Sequence, residues 1–242
     1  MNERKGSIIG KVSAEFLMNR ATVEIIDPDN NLEIARKHLK TGSAIALFNH
    51  FKGDFFLWAR VFKENITPLD NVTALVAMKY MDPNRSLASK TLNHMFPAWE
   101  KSHGVRVLPI VQSYDRANYE NANTINSTSI KKALKTLKEP GKLIAISPEG
   151  TRSKNGGLSE AEEGIELLLK LSKSLAIPFA AEHAFDSSAK LFGSKTKIHV
   201  GKPFFIADIE KDQEQNPGAK KKDLIMQRIA QLLPEQNRGY YR

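Results

Sequence analysis

Hydrophobic positions along the chain change period several times, and each change marks an expected element. Residues 7–20 carry Ile8, Val12 and Phe16 at four-residue steps, with Ile9 and Leu17 alongside, which predicts an amphipathic helix. Its stripe either packs on the body of the protein or lies in a membrane interface, with Arg4, Lys5, Lys11 and Arg20 at the headgroups. Residues 22–26 alternate as a short strand, and Asp27-Pro28-Asp29-Asn30-Asn31 reads as a turn before a helix over 32–39. Compact apolar runs at 43–48, 72–77, 104–111 and 142–146 predict buried strands, with helical spacing over 55–62. The polar stretch 113–128 is expected as loop, followed by a helix over 129–137. Ser159-Glu160-Ala161-Glu162 has the form of a capping box, opening a helix whose apolar face includes Ile165, Leu168, Leu171 and Leu175. Residues 179–181 and 197–200 read as late strands, 212–222 as a polar loop and 224–233 as a final helix.

Strands alternating with helices predict an α/β protein with a largely parallel or mixed central sheet flanked by helices. We expect an amphipathic N-terminal helix over residues 1–21 and a single domain over 22–242, with no internal repeat and no dividing linker. A length of 242 residues is ample for one core, and 41% apolar with 26% charged residues excludes wholesale disorder. No apolar run approaches the roughly 18 to 20 residues of a membrane span, and the charged N-terminus is no signal peptide. With no cysteine, disulfides, thiolate metal sites and cysteine nucleophiles are excluded.

The net charge of +9 changes the picture, because it predicts an anionic partner. Nucleic acid is the weakest candidate, since there is no C2H2 spacing, no Gly-x-x-Gly clamp in a helical context and no pair of aromatic stacking motifs. Lys131, Lys132, Lys135, Lys138 and Lys142 in one segment, and Lys220, Lys221 and Lys222 in another, read instead as solvated helix faces. An anionic membrane surface or a phosphorylated small molecule remains.

Active sites of open α/β sheets gather at the carboxyl ends of strands. Two segments of this chain fall there. In Phe48-Asn49-His50-Phe51-Lys52-Gly53-Asp54, His50 and Asp54 are four apart and share a face on a helical turn. A carboxylate beside an imidazole fixes its tautomer and stabilises the imidazolium, which makes a general base for a hydroxyl. A surface hydrogen bond is the plainer reading of the pair. In Ile146-Ser147-Pro148-Glu149-Gly150-Thr151-Arg152-Ser153, a guanidinium suited to two phosphate oxygens stands beside hydroxyls and a glycine that lets backbone approach a ligand. The plainer reading there is a turn with a solvent-facing arginine.

Together these residues resemble the glycerolipid acyltransferases, which acylate glycerol-3-phosphate or 1-acylglycerol-3-phosphate. The resemblance rests on Asn49-His50 with a nearby Asp54, on the hexapeptide Pro148-Glu149-Gly150-Thr151-Arg152-Ser153, and on Ile177-Pro178 and Gly201-Lys202-Pro203 in the family's order. It implies that His50 deprotonates the acceptor hydroxyl, which attacks an acyl thioester, while Asp54 orients His50. Glu149, Gly150, Thr151 and Arg152 would hold the acceptor, with Arg152 on its phosphate. No metal and no cofactor is implied; acyl-CoA or acyl carrier protein would serve as co-substrate. The expected product is phosphatidic acid, made by a peripheral enzyme on the cytoplasmic side of an anionic membrane. A glycerol-3-phosphate acyltransferase and a non-catalytic lipid- or anion-binding protein of the same fold are the alternatives. Neither Gly-x-Ser-x-Gly nor a P-loop is present, which argues against a serine hydrolase or a nucleotide-triphosphate enzyme.

The chain departs from that family at three places. Three residues separate His50 from Asp54 where the family usually has four, a change that turns a helix by about 100°. Gly53 supplies backbone freedom at that point. Ile110 stands where the second phosphate-contacting motif, near Gly104, normally has an arginine, with Arg106 and Arg116 nearby. Glu162 and Glu163 precede Gly164 where basic residues are usual.

Overall fold

The computed structural model describes residues 22–50, 54–151, 156–182 and 195–242. The helix expected over 7–20 lies outside the described residues, as do Phe51, Lys52, Gly53, Arg152 and Ser153.

The described strands are β1 (Thr22–Ile26), β2 (Ala44–Phe48), β3 (Val72–Ala77), β4 (Arg106–Ile110), β5 (Leu143–Ile146), β6 (Leu175–Glu182) and β7 (Lys195–Val200). They form one sheet in the order β1-β7-β6-β2-β5-β3-β4. Every neighbouring pair is parallel except β6 with β7, so the sheet is mixed and α/β as the sequence predicts. Parallel strands are covered on both faces and read as continuous apolar runs rather than alternating ones. The central strands obey this: the first four residues of β2 and the first seven of β6 are buried.

The helices are α1 (Asn31–Leu39), α2 (Asp54–Asn65), α3 (Leu87–His103), α4 (Ala122–Thr136), α5 (Ile165–Ser172), α6 (Ile206–Gln215) and α7 (Lys221–Ala230). One face of the sheet packs on Leu32 and Leu39 of α1 and on Trp58 and Phe62 of α2, with Phe179 of β6 among them. Trp58, Phe62 and Phe179 are each at most 1% exposed, and their rings sit about 6 Å apart in stacked and edge-on contacts. The other face packs on Ala133 of α4, Leu168 and Leu169 of α5, Ile209 of α6 and Ile225 and Ile229 of α7.

Several elements differ from the sequence expectation. The capping box at residues 159–162 does not open a helix. The Ser159 N–H donates to Glu149 Oε2 at 2.7 Å, and the Glu162 carboxylate accepts from Ser113, with Oγ to Oε1 at 2.7 Å. The Glu162 N–H that the Ser159 hydroxyl would cap donates instead to Pro148 O at 2.8 Å, so both N–H groups of the box are served by other segments, and α5 starts at Ile165 behind Gly164, whose φ of 113° only glycine adopts freely. Leu175 does not belong to that helix: Lys173, with φ 54°, ends it, and Leu175 opens β6. Helix α4 begins at Ala122 rather than at residue 129; of residues 122–128 only Ala122 is buried, so these first turns carry little hydrophobic signal. Helix α3, absent from the sequence expectation, holds Pro97 inside it, a residue that normally marks a boundary. Its Phe96 and Trp99 pack on Phe55 and Phe56 of α2. Helix α6 extends into the expected loop over 212–222, and α7 starts earlier than residue 224.

Candidate active site

Strands β2 and β5 are neighbours in the middle of the sheet, with Leu47 opposite Ile146. Parallel pairing puts both carboxyl ends at one edge, so the segment after β2 meets the segment after β5. That contact is Glu149: its carboxylate is 2% exposed and Oε1 accepts the backbone N–H of His50 at 2.8 Å. Its Oε2 takes the Ser159 N–H at 2.7 Å. The resemblance casts Glu149 as a contact to the acceptor; in the fold both of its oxygens already serve backbone groups.

Asn49 secures the other side of His50. It is 2% exposed, its Nδ2 donates to Ala181 O at 3.1 Å, and its Oδ1 accepts from Ala181 N at 2.7 Å. The side chain thereby imitates one more rung of the ladder between β2 and β6 after the strand itself has ended. Sequence reading placed Asn49 beside His50 but gave it no task; its buried partner on β6 is 132 positions away.

His50 is half-buried and faces a cavity of about 930 Å³, counting its open mouth. The walls are mostly apolar: Phe48, Phe55, Phe56, Leu92 and Phe96 on the α2 and α3 side, with Tyr80 also lining the cavity. A second cleft of about 900 Å³ lies toward α4 and α5, lined by Ile130, Ile165 and Leu168 together with Arg116 and Glu162. The two share Leu75, Val76, Ala77, Gln112, Ser147 and Gly150, so they meet at the carboxyl edge of β3 and β5. Gly150 is required at that junction. Its φ is +62°, and a Cβ there would come within 2.6 Å of Glu162 Cγ and 3.2 Å of Gln112 Cγ.

His50, Glu149 and Gly150 are brought together, and Thr151 follows, half-buried, at the end of the described loop. Asp54 is the first residue of α2, four positions after His50; its side chain, like Arg152, lies outside the described part. Of the two other arginines near the expected phosphate contact, Arg106 begins β4, at the end of the strand away from the site, and approaches Glu100 at 3.9 Å. Arg116 follows β4 and lines the second cleft.

The segment after the hexapeptide is held from behind by the C-terminal residues. Leu158 exchanges backbone hydrogen bonds with Asn237 and Tyr240 at 3.2 and 2.9 Å. The Tyr241 hydroxyl accepts the Ala161 N–H at 2.9 Å, and burial raises its pKa above the ordinary phenol value. Lys222 donates to Glu163 at 2.7 Å and to Ala161 O at 3.2 Å. The hydrogen bond between the two charges raises the lysine pKa and lowers that of Glu163. On the opposite side, Arg85 pairs with the buried Asp115, and Lys79 Nζ donates to the Tyr114 hydroxyl at 2.6 Å, joining the turns that follow β3 and β4.

No protein-family model matches the chain, and no curated protein matches it. Among solved structures, the chain is similar to the 1-acyl-sn-glycerophosphate (LPA) acyltransferase PlsC from Thermotoga maritima, at 13% identity and a TM-score of 0.46. The match covers 84% of this chain and 69% of that one. Likeness at that level leaves function to be judged from the motif residues and the cavity they border.

Proposed function

We propose that this protein is an acyltransferase that moves a fatty acyl group from an acyl thioester to the hydroxyl of a phosphorylated glycerol, with 1-acylglycerol-3-phosphate as acceptor and phosphatidic acid as product. The observation that carries the reading is that His50, held by Glu149 through its backbone N–H, borders a cavity lined largely by apolar and aromatic side chains. Such a cavity suits an alkyl chain, and an imidazole at its wall suits removal of a proton from a hydroxyl brought to the thioester. Asp54, four positions on along the chain, is assigned the orientation of the ring, and Arg152 with Thr151 the phosphate of the acceptor. The second cleft, largely apolar and opening from the same junction, favours an acceptor that already carries a chain over bare glycerol-3-phosphate. A membrane surface would deliver both chains.

The test is transfer from long-chain acyl-CoA and from acyl carrier protein to a panel of acceptors, with products identified by mass. Wild type is expected to give phosphatidic acid. His50→Ala is expected to lower kcat by about 10²- to 10⁴-fold in a protein that circular dichroism shows to be folded, because it removes the group assigned to take the hydroxyl proton. Near-full activity in that variant would exclude the mechanism. A wild type that transfers to no acceptor while binding phosphatidic acid vesicles would favour the lipid-binding alternative.

A further inference from the structure

Helices α4 and α5 touch each other on one face of the sheet, and the second cleft is walled by Ile130 of α4 and by Ile165 and Leu168 of α5. The apolar wall does not stop there. Leu171 stands one turn beyond Leu168 on the same side of α5, and Leu167 one turn before Leu171, yet these two leucines are 56% and 53% exposed. A single exposed leucine is ordinary, but two stacked on one stripe beside an apolar cleft form a continuous apolar strip facing water. The charges around that strip are of one sign. Helix α4 contains no acidic residue; Lys131 and Lys135, one turn apart, are exposed along it, with Lys138 just beyond its end. Lys170 is exposed on α5 and Lys173 at its carboxyl end. None of these ammonium groups has a carboxylate partner among the described residues. The nearby acids are engaged elsewhere, Glu162 with Ser113, Glu163 with Lys222 and Glu166 with Lys221, which leaves Glu139 beside Lys138. On α1, across the sheet, Lys37 instead lies 3.7 Å from Glu33.

We propose that the outer face of α4 and α5 is the surface by which this protein docks on an anionic bilayer, with Leu167 and Leu171 among the acyl chains and the lysines at the headgroups. Charge decides the occupant. A second copy of this chain, meeting the same face across a two-fold axis, would set the lysines against one another. Anionic headgroups neutralise them, at about 1 kcal/mol for each lysine near the surface. Leucine on one side and lysine on the other is also the composition of a face that lies in a membrane interface. Docking there sets the apolar wall of the second cleft in continuity with the acyl chains of the bilayer, the source of an acceptor that already carries a chain. The inference rests on the acyl-transfer reading for what docking serves, while docking itself is a binding event measured without turnover.

The chain has no cysteine, so Leu171→Cys and, across the sheet at the end of α1, Lys40→Cys each take a single polarity-sensitive fluorophore. When vesicles of phosphatidylglycerol and phosphatidylcholine in equal parts are added to the full chain, the label at position 171 is expected to shift to the blue and the label at position 40 to stay unchanged. In flotation with the same vesicles at about 100 mM salt, Leu167→Gln with Leu171→Gln is expected to bind at least about 10-fold more weakly than wild type. Lys131→Glu with Lys135→Glu is expected to lose about 30-fold or more. Lys40→Glu with Lys63→Glu changes the net charge equally on the opposite face and is expected to stay within about threefold of wild type. All six side chains are exposed, so thermal midpoints are expected to hold. No flotation of wild type, or a label at position 171 that stays in water while the protein floats, would overturn the inference. So would equal losses from the two lysine pairs, which would reduce binding to net charge. A wild-type dimer in sedimentation that the leucine pair disperses without loss of vesicle binding would give the face to a second copy and overturn it too. Should the leucine pair fail to fold, the two labels decide. A wild type that docks by this face yet transfers no acyl group would remove the acyl-transfer reading and leave the docking face standing.

Discussion

Burying a carboxylate costs free energy that charge-assisted hydrogen bonds must recover, and Glu149 recovers it from the backbone N–H groups of His50 and Ser159. The residue therefore holds the imidazole's backbone from one side while Asn49 holds it from the other through Ala181. Replacing Glu149 by Gln keeps the shape but sets an amide N–H₂ against a backbone N–H at one of the two contacts. We expect Glu149→Gln to lower stability by about 2 kcal/mol, the order of losing a hydrogen bond to a buried charge, and kcat with it. Urea unfolding beside steady-state kinetics checks this. Unchanged stability with lost activity would mean that Glu149 acts on substrate, as the family resemblance implies. That choice was not legible from Pro148-Glu149-Gly150 alone, since the N–H it serves belongs to a residue 99 positions earlier.

At the scale of elements, a local signal succeeded where it had no competitor. The runs that became β2, β3 and β5 are largely buried on a parallel sheet, and continuous apolar residues announce that environment directly; β4, at the edge of the sheet, buries only Leu108 of its five residues and so is not the buried strand that its apolar run predicts. The capping box failed because both N–H groups it would satisfy found acceptors elsewhere, Glu149 for that of Ser159 and Pro148 O for that of Glu162, while the Glu162 carboxylate accepts from Ser113. The same segment is backed by the C-terminal residues, whose Tyr241 hydroxyl accepts the buried Ala161 N–H. Tyr241→Phe leaves that N–H without its partner and is expected to cost about 1 to 3 kcal/mol. The loop after the hexapeptide should loosen first, seen as faster amide exchange in residues 156–164 with the central strands unchanged. Equal exchange in both proteins would show that the C-terminal contact does not support the loop.

For the molecule as a whole, the net charge of +9 and the two apolar clefts point to the same kind of surface. Among the described residues no helix is long and apolar enough to cross a membrane. Lys131, Lys132, Lys135 and Lys138 are exposed along and just beyond α4, as a solvated face should be, but Lys142 is half-buried and donates to Asn71 Oδ1, and Lys222 is buried against Glu163, so those two do not belong to a solvated face. An excess of cations attracts an anionic bilayer at long range and is screened by salt. The protein is therefore expected to float with vesicles rich in anionic lipid at about 50 mM salt and to be released at about 500 mM, with no binding to neutral vesicles. Flotation that ignores both salt and lipid charge would assign the excess charge another purpose.

The sequence by itself determined the class of the fold, the order of its central strands along the chain, and the residue types that could carry acyl transfer. Each is a local property: a buried strand, a histidine at its end, an unusual hexapeptide. Only the tertiary structure decided which of those residues meet. Parallel pairing of β2 with β5 brings Glu149 to His50, and the insertion of β5 between β2 and β3 sets Ser147 and Gln112 into one wall. It also decided that Ser159 and Glu162 would serve other segments rather than cap a helix. The physical reason is common to all of these. A buried hydrogen-bonding group takes whatever partner the fold delivers, and the distance along the chain has no bearing on which one arrives.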